Sequence, residues 1–353
     1  MKMRSPILKS LILIGAWLVA NPVLAERQIV DMAGRMVALP DRIHKVYAVG
    51  HCIPIVGAMA PDLLANSYRL PEAARPLLAP VFFEGKTTPN SGIRFSDEEV
   101  IRMAPDLVVM EAIPGAAERA ERMQKRIGAP VVLVDQDMLH YKEAFAVLGE
   151  ILDRREQARA MTDFVVRHLD PIREVAQTIP EDQRVRVYYA EGPDGLSTNP
   201  AGSSHTQVLD FVGAANVAQV KNLPDEGLSA VSLEQIYLWQ PELILVWTPA
   251  ADRLTTWRAI VEDPLWQKIA AVRNGQVVQI PWLPFSWLDR PPGTNRILGA
   301  LWLAELFYPD RYDIDLAAAT KEYFAIFYHR EIADENVRKL LRLTRPDEAA
   351  STL

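Results

Sequence analysis

KEAFAVLGEILDRREQARAMTDFVVRHLDPIREVA, residues 142–176, is the one long helical pattern in the chain, and it separates two blocks of similar strand and helix grammar. Phe145, Leu148, Leu152, Met161, Phe164, Val165, Leu169 and Ile172 recur at the 3.6-residue spacing of a half-buried helix. Glu150, Asp153, Arg154, Arg155, Glu156, Arg159, Asp163 and Arg167 supply a solvent face. Pro171 has no amide proton and its ring clashes with the preceding turn. The helix is therefore expected to kink or restart near Asp170, with Asp170 as cap and Pro171 in first position. The stretch fits an ordinary domain helix or a stiff strut between two lobes, and its flanks decide which.

The N-terminus carries a basic segment (Lys2, Arg4, Lys9), an apolar run from Leu11 to Ala20 and the small-x-small site Val23-Leu24-Ala25. That is the grammar of a signal peptide cleaved after Ala25. Glu26 follows, and the single cysteine is Cys52, so lipid attachment at the cleavage site is not available. A periplasmic, unanchored mature protein is expected. Cleavage removes three cations and no acid, taking the formal net charge from −7 to −10, which argues against a nucleic-acid partner. One cysteine excludes an internal disulfide, and no Cys/His zinc spacing is present.

In the first block, residues 28–37 alternate as a hairpin turning at Ala33-Gly34, and Lys45-Val46-Tyr47-Ala48-Val49 reads as a buried strand. The loop Gly50 to Pro54 leaves its carboxyl end, where open α/β sheets place ligands. Ser96-Asp97-Glu98-Glu99 starts a capping-box helix, Leu107 to Met110 is a strand, Ala116 to Ile127 a helix closed by Gly128, and Val131 to Val134 a strand. In the second block Val185 to Tyr189 is a strand, and Ala201 to His205 opens a helix. Ser232 starts another that ends before Pro241, and Glu242 to Trp247 is a strand. The units beginning at Ser96 and Ser232 share the order helix, proline plus acid, strand. Alternation of this kind implies parallel sheets.

Asp31-Met32-Ala33-Gly34-Arg35-Met36-Val37 with Pro40, Ala104-Pro105-Asp106-Leu107-Val108-Val109, and Val231-Ser232-Leu233-Glu234-Gln235 leading to Pro241-Glu242-Leu243-Ile244-Leu245-Val246 resemble the periplasmic binding proteins of iron-siderophore, haem and vitamin B12 ABC importers. The resemblance runs from about residue 28 to 312. It implies an α/β fold of two Rossmann-like lobes with central, mainly parallel sheets, bridged by one long α-helix. The expected divisions are a signal peptide at 1–25, an N-terminal lobe at 26–140, the bridging helix at 141–178, a C-terminal lobe at 179–312, and C-terminal helices and tail at 313–353. It also implies a monomer without resident cofactor, an inner-membrane permease as partner, and an outer-membrane receptor system upstream. Glu118 and Asp252 match by position the acids that dock on the permease.

Four loops are expected to converge on one cleft: Gly50 to Pro54, Glu84 to Ser91, Asn199 to His205 and Trp282 to Arg290. The expected ligand contacts are His51, Cys52, Ser204, His205, Trp282, Phe285, Trp287 and Arg290. Aromatic faces supply area and a guanidinium supplies a planar fork of donors, a combination suited to an anionic chelate. Ser203 and Ser204 can cap the helix after them, and a helix start favours an anion. His51 fits a ligand contact or a hydrogen-bonded turn histidine, His205 a ligand contact or an N-terminal helix histidine, the tryptophans fit a platform or lobe packing, and Arg290 fits a ligand contact or a pair with Asp289. An iron-siderophore or similar metal chelate is the first expectation for the ligand. Haem, cobalamin, molybdate and tungstate are alternatives. An exported metal-dependent enzyme using His51, His205 and Glu191 is the competing class, but the six histidines show no HExxH spacing and there is no GxSxG elbow.

Overall fold

The computed structural model describes residues 26–90, 95–222, 228–248 and 254–342. Strands β1 (Glu26–Val30) and β2 (Met36–Pro40) form the expected antiparallel hairpin. Gly34, at φ 77°, takes the left-handed position of its turn. Asp31 accepts from the Ala33 and Arg35 amides and from the Leu133 amide of the first sheet, so one carboxylate closes the turn and pins the hairpin to the lobe.

The first lobe comprises β3 (Val46–Ala48), α1 (Cys52–Met59), α2 (Asp97–Met103), β4 (Leu107–Glu111), α3 (Ala116–Ile127) and β5 (Val131–Val134). Its strands are parallel in the order β3-β4-β5. Helices α4 (Tyr141–Ile151) and α5 (Arg155–Thr178) follow. The second lobe contains β6 (Arg186–Ala190), β7 (Ser197–Thr198), α6 (Gln207–Phe211), β8 (Ala215–Asn216), β9 (Ser229–Ala230), α7 (Leu233–Trp239), β10 (Leu243–Val246), α8 (Thr255–Glu262), α9 (Ala270–Arg273) and β11 (Val277–Gln279). A parallel sheet ordered β11-β10-β6-β8 forms its centre, with β7 and β9 as a small antiparallel pair. Helices α10 (Arg296–Phe307), α11 (Leu316–Phe327) and α12 (Asp334–Arg342) close the chain.

Alternate residues of each strand serve two different cores, as the two-residue period of a strand requires. Val46, Leu107, Val109, Val132 and Val134 of the first sheet, with Val187, Tyr189, Leu243 and Leu245 of the second, face one continuous core shared with α4, α5, α10 and α11. Tyr47, Val108 and Val131 face an outer cluster of their own lobe, and Tyr188, Ile244 and Val246 do the same in theirs.

The repeated motif has a local explanation. Ser96 and Ser232 each accept from the amide three residues on, while Glu99 and Gln235 reach back to the serine amide. Both short helices stop at a left-handed residue, Ala104 and Gln240, before the proline. The acid after each proline then serves the neighbouring strand: Asp106 accepts from the His44 and Lys45 amides, and Glu242 from the Arg186 amide. Donors that would otherwise stand unpaired at a strand start are thereby satisfied.

The long helical stretch is two helices rather than one kinked near Asp170. The break lies at Leu152 to Arg154, where Asp153 takes φ 54°. A side chain at Gly149 would stand 2.5 Å from the Ala158 Cβ, so the bare glycine lets the start of α5 fold directly onto the end of α4. Arg155 then pairs with Glu150 across the turn. Pro171 lies inside α5, and Asp170 is not a cap but pairs with Lys142 of α4 at 2.9 Å. Burial of Phe164, Leu169 and Ile172 around it offsets a proline cost of about 3 kcal/mol.

Helix α10 fixes the loop before it. A Cβ at Gly299 would stand 2.1 Å from the Trp287 carbonyl oxygen. Gly299→Ala gains about 1 kcal/mol in helix propensity. The collision with backbone should nevertheless leave a net loss of about 2 kcal/mol in a urea titration. A neutral result would mean that the loop can lift off the helix.

Candidate functional site

β6 runs inward to Tyr189-Ala190-Glu191, and the loop between β11 and α10 brings Asp289 and Arg290 against it. Tyr188 and Tyr189 point to opposite faces, as adjacent strand residues must. Tyr188 donates to the Gly195 carbonyl in the outer cluster, and Tyr189 donates to Asp289 Oδ1 at 2.8 Å. The side chains of Glu191 and Asp289 are wholly inaccessible. Arg290 joins them, with Nη2 2.6 Å from Glu191 Oε1 and Nη1 3.1 Å from Asp289 Oδ2. Its guanidinium lies 4.9 Å over the Trp247 ring. Asn199 Nδ2 donates to Glu191 Oε2 at 2.5 Å, and His205 Nδ1 stands 3.0 Å from Asp289 Oδ2, with Arg290 Nη1 also against the imidazole.

Two buried carboxylates thus share one guanidinium. Burial first, and the charge of Asp289 second, push the Glu191 carboxyl up to about 8, against the donors of Arg290 and Asn199. Burial also lifts the Tyr189 phenol well above its usual range, with Asp289 adding to it. For Arg290 burial opposes the charge, but Asp289, Tyr189 and Glu191 outweigh it and hold the cation more firmly.

The first lobe supplies a second carboxylate–histidine pair. Gly50, at φ 48°, turns the chain out of β3, and His51 Nδ1 lies 3.1 Å from Oε2 of Glu111, the last residue of β4. Asn66 extends the sheet edge with its side chain, accepting from the Ala48 amide and donating to the Ala48 carbonyl, each at 2.9 Å. Two residues on, Tyr68 lies edge-on to Phe285 of the other lobe, with ring centroids 5.9 Å apart. Further along the seam a Cβ at Gly293 would stand 3.2 Å from Pro54, and Tyr141 donates to the Gly293 carbonyl at 2.7 Å.

His51, His205, Phe285 and Arg290 therefore belong to loops that meet where the lobes join, and Trp282 lies half-buried in the same loop as Phe285. Other expectations are corrected. Cys52 is fully buried in the first turn of α1, where its sulfur accepts from Gln136, so it is a core residue. Trp287 is also fully buried, and its indole donates to the Leu283 carbonyl of its own loop. α6 begins at Gln207, and Ser203 and Ser204 do not cap it. Ser203 Oγ instead accepts from the His205 amide, Thr206 is tied back to the Pro200 carbonyl, and Ser204 is exposed. Residues 84–87 lie beside a 390 Å³ groove shared with His44 and Lys45, which precede β3, whereas His51 follows that strand. Lys86 holds them there by donating to the Pro61 and Leu64 carbonyls. Glu118 stands on the first turn of α3 with its side chain 82% exposed, and Asp252 lies outside the described residues.

Reading the sequence missed Glu111, Tyr68, Trp247 and Arg296. The first and third carried a usable signal, since each ends or directly follows a buried strand. Among the described residues no group of three or more His, Cys, Asp or Glu side chains is placed to hold a metal ion, and no helix is long and apolar enough to cross a membrane.

A family model described as periplasmic binding protein matches residues 40–282. The molybdate-binding protein MolA of Haemophilus influenzae is 24% identical over 344 residues, covering 90% of this chain and 95% of that protein. Its molybdate-bound structure superimposes with a TM-score of 0.68 at 23% identity, over 87% of this chain and 99% of the other. An ABC transporter solute binding protein from Sulfurospirillum deleyianum gives a TM-score of 0.81 at 29% identity, covering 90% of this chain and 99% of its own.

The shift at Glu191 has a measurable sign. Because its folded pKa lies above the ordinary 4.5, its contribution to stability is complete below pH 4.5 and is lost as pH rises to about 8. Wild type should therefore lose unfolding free energy relative to Glu191→Gln between pH 5 and 8 in denaturant titrations. A difference that grows in favour of wild type over that range would place the carboxyl below its normal pKa, ionised against Arg290.

Proposed function

The chain belongs to the periplasmic binding proteins of ABC importers, and from that premise we propose that its ligand is a small metal-centred oxyanion of the molybdate and tungstate class, held at the seam between the lobes. One observation carries the reading: each lobe brings one histidine to the seam with Nδ1 beside a carboxylate, His51 by Glu111 and His205 by Asp289, with Arg290 Nη1 against the His205 ring as well. His51 so oriented offers its other ring nitrogen as a ligand to a metal centre or, when protonated, as a donor to an oxyanion, and His205 presents its ring together with the Arg290 guanidinium. Burial pushes the Glu191 carboxyl towards its neutral form and Arg290 pairs with Asp289, so the second-lobe cluster presents less negative charge to an anion than two free carboxylates would. The burial of Trp287 and the closure of Tyr68 on Phe285 favour a small ligand over a macrocycle. The likeness to a molybdate-binding protein over nine-tenths of the chain supports the same choice.

We take residues 26–140 and 179–312 as the lobes, 141–178 as the bridge, and 1–25 as a leader removed on export. Glu118 is assigned to docking on the inner-membrane permease, on its exposed position at the start of α3. A ferric chelate, the first expectation from sequence, is the second reading. The half-buried rings of Tyr68, Trp247, Trp282 and Phe285 favour it, since they are the aromatic area such a ligand would use.

Calorimetry with molybdate, tungstate, sulfate, ferric citrate, a ferric siderophore and cobalamin separates the readings. Molybdate at about 100 times its Kd should stabilise the fold by about 2.7 kcal/mol. His205→Ala and His51→Ala should each weaken molybdate at least tenfold while the unliganded melting temperature changes by a few degrees at most. Binding of ferric citrate or siderophore without molybdate binding would overturn the oxyanion reading.

A further inference from the structure

Arg296 opens α10 at the centre of the seam and is only 3% exposed. Among the described residues it has no carboxylate partner. All its recorded hydrogen bonds go to neutral oxygens: Nε to Tyr141 Oη at 3.2 Å and to the Gly293 carbonyl at 3.3 Å, Nη1 to Gln207 Oε1 at 2.7 Å, and Nη2 to the Gln136 carbonyl. These partners come from both lobes, and three of the four adjoin a site residue. Gln136 hydrogen-bonds to Cys52, the neighbour of His51. Gln207 lies two residues after His205, and Gly293 three after Arg290 and against Pro54. Tyr141 starts α4, and Gln207 also accepts from the Met138 amide of the opposite lobe.

Burying a cation without a counter-charge costs free energy that apolar packing at the same place would not. What the guanidinium offers in return is geometry. Its planar fork addresses acceptors in several fixed directions, which a lysine point charge or a glutamine amide cannot do. We propose that Arg296 is the positioning residue of the seam: without touching ligand, it ties the His51, His205 and Arg290 loops to one rigid helix and so sets the distance between the two halves of the site. The consequence for affinity rests on the oxyanion reading above, whereas the consequence for interlobe geometry does not.

The test uses the mature protein with nitroxide labels at Lys125→Cys on α3 and Leu238→Cys on α7, both exposed, the native Cys52 being buried. Pulsed electron resonance without ligand reads the interlobe distance, and calorimetry with molybdate reads the affinity. Arg296→Lys keeps the charge and loses the fork. It should broaden or shift the distance distribution and weaken molybdate at least tenfold, while an unlabelled Arg296→Lys protein keeps the circular dichroism of wild type. A native distance distribution in a folded Arg296→Lys protein would overturn the proposal, and so would native affinity where wild type binds molybdate. If Arg296→Lys does not fold, Gln207→Ala decides. It removes one acceptor at a half-buried position and should broaden the distribution to a smaller degree, and an unchanged distribution there would also overturn the assignment. Wild type that ignores molybdate removes the ligand reading alone, because the distance measurement still judges Arg296.

Discussion

The shared apolar core between the two sheets is the constraint from which the rest follows. Both sheets turn their inner faces onto the same set of helices, so beyond the outer cluster of each lobe the core is shared and neither lobe can rotate freely without exposing Tyr189, Phe164 or Leu169 to water. Exposing even a few such side chains costs several kcal/mol at about 25 cal/mol per Å². Large hinge motion is therefore disfavoured, and the seam keeps a nearly constant width.

A fixed seam makes its charge balance decisive. The side chains of Glu191 and Asp289 are placed where water cannot reach them, and each acid is satisfied by several donors: Arg290 and Asn199 for Glu191; Arg290 and Tyr189 for Asp289, with His205 Nδ1 beside it. Arg290 is thus part of the protein's own balance as well as a neighbour of the seam. Truncating it would strand two buried carboxylates at a cost of about 3–5 kcal/mol, independent of any ligand. An affinity lost in that variant would mix unfolding with recognition, which is why the histidines are the cleaner probes of the site.

What was legible in the sequence was what is decided locally. The capping boxes at Ser96 and Ser232, the Gly34 turn and the alternation of buried strands need only near neighbours, and all were readable. The break at Asp153 was not, because an acid at positive φ leaves no compositional mark and its cause is contact between Gly149 and Ala158 across the turn. The aromatic loop was placed correctly, but only the packing of α10 beneath it decides that Trp287 is core while Phe285 meets the other lobe. Arg296 reads in sequence as one more helix-start residue, since its partners lie at separations of 3, 89, 155 and 160 residues.

The two carboxylate–histidine pairs differ in exposure. The His51 and Glu111 side chains are 42% and 26% exposed, so water screens their interaction and allows the imidazole to reorient at little cost. His205 is 20% exposed and its Asp289 partner is inaccessible, held in turn by Tyr189 and Arg290. The second-lobe pair is therefore the more rigidly held of the two. With a shared core that disfavours wide opening, that asymmetry leaves the solvent-facing pair as the part of the seam freest to adjust.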